Sequence, residues 1–317
     1  MDNLIFALNA TVPVFMMMVI GYVLKRLKFI DDVFAGRMNN FVFKISLPVL
    51  VFGDLAVVDF REGWNTKFVL FCFFVTILSI LISYLVSFLV SRKTNASERG
   101  EFIQASYRSS AALLGLAFIQ NIYGTTGMAP LMIIGSVPLY NIFAVIVLTV
   151  SSPDNRSLDS GMLKKTFTGV LKNPIIIGIA LGLIWSLLKI PMPGIMLKTV
   201  TNIGNTAMPL GLMAMGASFE LKKAFGKGLQ AVVAGFMKLI GFASIFLPCA
   251  IAFGFRESEL VAILVMLGSA TTVSCFVMAK NMGHEGTLTS AVVMLTTLLS
   301  AFTLTMWLFI LKSGGFI

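Results

Sequence analysis

Ten stretches of about twenty largely apolar residues follow one another along the chain, at about 5–24, 37–58, 67–91, 102–122, 128–150, 170–188, 198–219, 229–253, 260–282 and 288–311, with short polar connections between them. Hydrocarbon about 30 Å thick is crossed by about 20 helical residues, so each stretch is long enough to span a bilayer. A lone segment in lipid satisfies its backbone only as a helix. The pattern predicts an all-α membrane protein with ten transmembrane helices and no separate soluble domain. Met1-Asp2-Asn3 carries no basic region, and no small-residue cleavage pattern follows, so the first stretch is expected to be retained as a span.

Charge orients these spans. One set of alternate connections holds Lys25, Arg26, Lys28, Arg37, Arg92, Lys93, Arg99, Arg156, Lys164, Lys165, Lys172, Lys222, Lys223, Lys227 and Lys280; the other holds only Arg61, Lys67, Lys189, Lys198, Arg256 and Lys312. The richer set marks the cytoplasmic side, which puts both termini on the other side. Charged residues make up 12% of the chain and hydrophobic ones 57%, too little polar surface for a water-soluble fold. The net charge of +10 lies in short loops and does not predict nucleic-acid binding. Cys72, Cys249 and Cys275 fall inside apolar stretches without metal-ligand spacing and read as packing residues. No Ser/His/Asp set, metal cluster or phosphate-cradling glycine loop is found, so no enzyme is predicted, and no cofactor beyond a coupling Na+ or H+.

The chain resembles itself at an offset of 161 residues. Pro13 then falls on Pro174, Gly21 on Gly182 and Pro48 on Pro209, and five spans fall on five without a gap. Five is odd, so the second half enters the membrane from the opposite side. This predicts inverted repeats, residues 1–150 and 170–317, joined by a cytoplasmic linker over 151–169. Inverted repeats with broken helices near the midplane are characteristic of secondary transporters.

Several residues inside the spans could carry chemistry. Pro48 and Pro209 lie mid-membrane, where a proline frees carbonyls for a ligand or merely kinks a helix. Span four contains Arg108-Ser109-Ser110 and Gly115, and span nine contains Gly268, Thr271, Thr272 and Ser274. Such small and hydroxyl residues serve either close helix packing or a polar cavity. Gly115 and Gly268 are candidate helix breaks. Arg108 either snorkels to the interface or holds a substrate carboxylate. Asp54 and Lys238 are candidates for the coupling-ion site, Asp54 because a proton or Na+ needs an acidic group, Lys238 as a fixed cation or as the partner of Asp54. Lys238 lies about 13 Å inside its span at 1.5 Å per residue. His284, in a loop, reads as a surface residue.

The segments around both prolines are similar to the auxin efflux carrier family, which includes bacterial organic-acid permeases. The similarity rests on Phe43-Lys44-Ile45-Ser46-Leu47-Pro48, Ile122-Tyr123-Gly124, Val137-Pro138-Leu139-Tyr140-Asn141 and Lys172-Asn173-Pro174. It continues in Met208-Pro209-Leu210, Gly216-Ala217-Ser218 and Phe276-Val277-Met278-Ala279-Lys280. The resemblance implies ten helices in two inverted repeats, a scaffold and a transport domain, crossing broken helices in spans four and nine, and anionic substrates such as malonate, malate or auxin. It also implies a homodimer. The short 151–165 loop resembles bacterial members. Where members often have Asn and Gly-X-Pro in span four and a proline in span nine, this chain has Ser110, Gly115-Leu116-Ala117 and Ala270. The breaks are therefore expected to be less sharp, and the substrate does not carry over.

The expectation is a bacterial inner-membrane secondary transporter for a small organic anion, bound by Arg108, Ser109, Ser110, Asn141, Thr271, Thr272 and Ser274. The alternatives are a sodium- or proton-coupled symporter or exchanger like bile-acid symporters or cation/proton antiporters, which would require Asp54, and a transport-derived sensor.

Overall fold

The computed structural model describes residues 2–57, 64–90, 95–111, 119, 122–123, 128–152, 168, 171–219 and 227–317. Gly115 and most of the 151–169 connection lie outside them. The chain starts with α1 (Asp2–Arg26) and α2 (Asp32–Phe41), which leads through a π-helical turn (Val42–Ser46) into α3 (Leu47–Ala56). Then come α4 (Thr66–Val90), α5 (Ala96–Tyr107), α6 (Ala129–Val150), α7 (Pro174–Leu187), α8 (Gly194–Asn205) and α9 (Ala207–Ala217). Helix α10 (Gly228–Phe236) passes through a second π turn (Met237–Gly241) into α11 (Phe242–Ala252), followed by α12 (Glu257–Gly268), α13 (Ser274–Asn281) and α14 (Thr287–Ser313).

Local chemistry starts these helices where the polar punctuation lies. Asp31, Asn95 and Asn173 each accept a hydrogen bond from a backbone N–H of the first turn, at Phe34, Glu98 and Ile175. Pro174 sits in the first turn of α7, where its missing N–H has no helical partner to lose. Among the described residues five continuous helical runs are long and apolar enough to cross a membrane: Asp32–Ala56, Thr66–Val90, Ala129–Val150, Gly228–Ala252 and Thr287–Ser313. Leu85, Leu89, Leu187, Ile195 and Phe309 point outward, an arrangement that suits lipid and not water. The protein is an all-helical, multi-pass membrane protein.

Two apolar cores organise the bundle. One gathers side chains of α4, α5, α6, α10, α11, α12 and α14. The other gathers Met18 of α1 with side chains of the first π turn, α3, α7, α9, α13 and the end of α6. Helix α3 packs on α7 and α8, and α1 packs on α9 and α14. Glycines set two of these contacts: a Cβ on Gly21 would collide with the Met213 backbone, and one on Gly182 would crowd that of Phe52. Both members of the first pair are 161 residues from members of the second. Helix α12 likewise lies 161 residues beyond α5 and has the same 12-residue length.

The helix breaks differ from the sequence expectation. Pro48 does not break its span. The π turn inserts one extra residue ahead of it, Leu47 N–H reaches Val42 O, and the backbone stays α-helical through Leu47. In the second half the interruption falls at Thr206, three residues before Pro209, which occupies the first turn of α9. The Ser46 and Thr206 hydroxyls join these two places at 2.7 Å. Gly268 does end its helix, because Ser269 is extended at ψ 164. Helix α5 ends at Arg108, extended at ψ 125. Both helices end abruptly in extended residues, not in the softer breaks expected from the lack of prolines there. Hydroxyls replace them: Ser109 Oγ donates to Met266 O of α12, and Thr271 Oγ1 donates to Ala105 O of α5 at 2.9 Å.

Candidate functional site

The two breaks meet. Ser109 and Thr271 form an isolated antiparallel bridge, and Ser110 N–H donates to Ala270 O at 3.0 Å. Beside this crossing lies a cavity of about 80 Å³, walled by the first π turn and α3, by Arg108–Ala111, and by residues of α6, α9 and the start of α13. Leu47, Leu50, Val51, Val137, Ile175 and Val277 make most of the wall apolar.

Arg108 is the dominant polar group and is 1% exposed. It does not snorkel, because the break turns the chain inward where it stands. One terminal nitrogen donates to Gln104 Oε1 at 3.2 Å and to Met278 Sδ at 2.9 Å. The other donates to Asn141 Oδ1 at 2.9 Å and to Ser274 Oγ at 2.8 Å. Every one of these acceptors is neutral. A guanidinium has five N–H donors, and the fifth, on Nε, has no acceptor among the described residues. Burying a cation costs several kcal/mol unless a counter-charge compensates it, and charge-assisted bonds to neutral groups offset only part of that. The arrangement holds a buried guanidinium at the cavity wall with one N–H donor left for a ligand.

Most of the expected site residues gather here. Arg108, Ser109, Ser110, Asn141, Thr272, Ser274 and Asp54 all line the cavity. Asn141 is held by a bond from its amide to Val137 O at 3.0 Å, which aims its oxygen at Arg108. The Thr272 and Ser274 hydroxyls lie 3.2 Å apart. Thr271 is not in the wall; its hydroxyl is committed to Ala105 O and its N–H to Thr296 Oγ1. Lys238 is not in the wall either and does not pair with Asp54. Its fully buried ammonium donates to Leu267 O at 2.5 Å. The reason is the break itself, since α12 ends with unpaired carbonyls whose negative end attracts a cation.

Three residues escape the sequence reading. Gln104 is fully buried and clasps both sides of the crossing, its amide donating to Cys275 O at 3.0 Å while its oxygen takes Arg108. Its position one turn before Arg108 was a usable signal. Glu101 is buried and accepts from Gly286 N, Thr289 N and Thr289 Oγ1 at 2.9, 3.0 and 2.9 Å, capping the start of α14. His284 is buried, not a surface residue: Nε2 donates to Leu148 O at 2.9 Å and Nδ1 pairs with Ser97 Oγ at 2.8 Å. Both lie in a layer that ties α5 and α6 to the loop before α14, and apolar periodicity carries no trace of such a layer.

Comparison with known proteins agrees with this picture. Residues 6–308 match the family model described as "Membrane transport protein". The chain is 22% identical over 309 residues to a protein of Rhizobium meliloti (strain 1021) named "Putative malonate transporter", covering 96% of this chain and 95% of that one. It is 24% identical over 226 residues to the "Lysosomal cholesterol signaling protein" of Mus musculus, covering 64% of this chain but 25% of that protein. With a match over almost its whole length, the chain belongs to the auxin efflux carrier family of membrane transport proteins and is a transporter rather than an enzyme.

Proposed function

We propose that this protein is a secondary active transporter that carries a small organic anion, a carboxylate, across the bacterial inner membrane by alternating access. The observation that carries the reading is Arg108: a buried guanidinium, facing a cavity, with only neutral acceptors around it. A carboxylate accepts from the unpartnered Nε donor and is a geometric match for a planar fork of donors. Ser109, Ser110, Asn141, Thr272 and Ser274 would orient it, and the apolar wall would take the rest of the molecule. The name of the Rhizobium meliloti relative points to the same substrate chemistry.

Residues 1–150 and 170–317 act as two inverted five-span repeats joined by 151–169. Support comes from the bridge: an offset of 161 converts the pair Ser109 and Thr271 into Ala270 and Ser110, which are themselves hydrogen-bonded. The Gly21–Met213 and Gly182–Phe52 contacts exchange in the same way. The excess of basic connections favours both termini outside the cytoplasm. Rocking of the α1–α3 and α7–α9 bundle against the remaining helices would expose the cavity to each side in turn.

The test is carboxylate counterflow by the purified protein in proteoliposomes. Arg108→Ala is expected to abolish it while leaving the melting profile of a folded protein. Counterflow at the wild-type rate in Arg108→Ala would sink the assignment.

A further inference from the structure

Asp54 stands in the last turn of α3, and its side chain shares the cavity wall with Arg108. Among the described residues its carboxylate makes no ion pair and accepts no hydrogen bond. The elements packed around it offer it little charge. Helices α7 and α9 contain no titratable residue, α8 contributes only Lys198 and the π turn only Lys44, and both of these are exposed. Tyr140 also lines the cavity, but its hydroxyl is committed to Met266 O at 3.2 Å. Among the described residues, the cavity wall therefore carries one cation, Arg108, and one anion, Asp54.

A carboxylate entering to meet Arg108 adds a second negative charge to an apolar, low-dielectric space, where unbalanced charge is most costly. One further positive charge restores the balance. Sodium is a poor source of it, because hard cations are held by several oxygens, whereas in this wall Asn141 Oδ1 and Ser274 Oγ accept from Arg108, Ser109 Oγ donates to Met266 O, and α3, α7, α9 and the π turn add only apolar side chains apart from Asp54 itself. A proton needs a single carboxylate oxygen. We propose that the cavity loads one proton, on Asp54, together with each substrate anion, and that it prefers monoanions to dianions. The proposal rests on the organic-anion reading above. The proton comes from water on the loading side and returns to water on the releasing side, with no bond of the substrate altered. A dianion would leave one negative charge uncompensated even with Asp54 protonated, so dicarboxylates enter as their singly protonated forms.

Proteoliposomes loaded and assayed with radiolabelled acetate, lactate, malonate and malate test this, using the full-length protein, Asp54→Asn and Asp54→Glu. An acid-outside gradient is expected to drive accumulation by the wild type several-fold above the equilibrium level. Sodium should have no effect, and the dicarboxylates should gain on the monocarboxylates as the external pH falls. Asp54→Asn, permanently neutral, should lose gradient-driven accumulation, and Asp54→Glu should recover part of it. The proposal is overturned if Asp54→Asn still accumulates substrate under the gradient, if a sodium gradient replaces the pH gradient, or if Asp54→Glu melts normally yet recovers none of the accumulation. Absence of carboxylate counterflow in the wild type would overturn the anion reading itself, and this proposal with it.

Discussion

Ser109 and Thr271 face each other in an antiparallel bridge at the point where α5 and α12 have both ceased to be helical. Each sends its hydroxyl to a carbonyl in the last turn of the other's helix, at Met266 and Ala105. Neither break can close into continuous helix without uncapping the opposite one. The crossing is thus a mutual clasp, and it presents Arg108 and Ser274 to the same cavity.

Removing one half of that clasp should be measurable. Thr271→Val keeps the shape but deletes the hydroxyl, leaving Ala105 O without its cross-segment donor. A loss of about 1–3 kcal/mol is expected, read as a lower melting temperature in detergent. Thr271→Ser should cost less than half as much.

Charge alone does not satisfy the Arg108 position. Arg108→Lys keeps the cation but replaces a planar fork with a compact ammonium that cannot reach Gln104, Asn141 and Ser274 together. Losing one good charge-assisted bond to a ligand, about 1.4 kcal/mol or more, corresponds to about tenfold or more weaker carboxylate binding. Ligand-induced stabilisation in a thermal shift titration measures it.

The glycine contacts between helices are steric. Gly21→Val would drive side-chain carbons into the Met213 backbone, and overpacking of this kind costs about 1–3 kcal/mol. Gly36 in α2 has open space around it, so Gly36→Ala should leave stability unchanged or raise it by up to about 1 kcal/mol. Comparing the two melting temperatures separates packing from helix propensity.

Glu101→Leu removes three acceptor contacts at the start of α14 and leaves two backbone donors buried. The expected cost is about 2–6 kcal/mol, from about 1–3 kcal/mol per buried group left unpaired. Glu101→Gln, which retains one oxygen, should lose less. Carboxylate affinity of the folded fraction should stay within about twofold of wild type in both, because Glu101 is not in the cavity wall.

Lys238→Met tests the other buried cation. It deletes the donor to Leu267 O without touching the cavity, so stability should fall by about 1–3 kcal/mol while transport keeps its response to Na+ and to pH. A changed cation response would show that Lys238 takes part in coupling.

What the sequence determined by itself is helical class, membrane residence and the identity of most polar residues at the cavity. Apolar length is a one-dimensional property, and a membrane enforces it residue by residue. Arg108, Asn141 and Ser274 stood out because polar groups are rare in apolar stretches. Gly21 and Gly182 were legible too, since they mark close backbone approaches that any side chain would block. Tertiary structure decided where the breaks fall and what each polar group faces. Proline chemistry pointed to Pro48, but a π turn absorbs that proline, whereas α5 and α12 end because hydroxyls from the opposite segment satisfy their carbonyls. The same dependence on distant partners turned Thr271 and Lys238 into caps, put His284 and Glu101 inside, and left Asp54 in the cavity with Arg108. A hydrogen bond is decided by which groups meet in space, and these partners lie more than 25 residues apart along the chain.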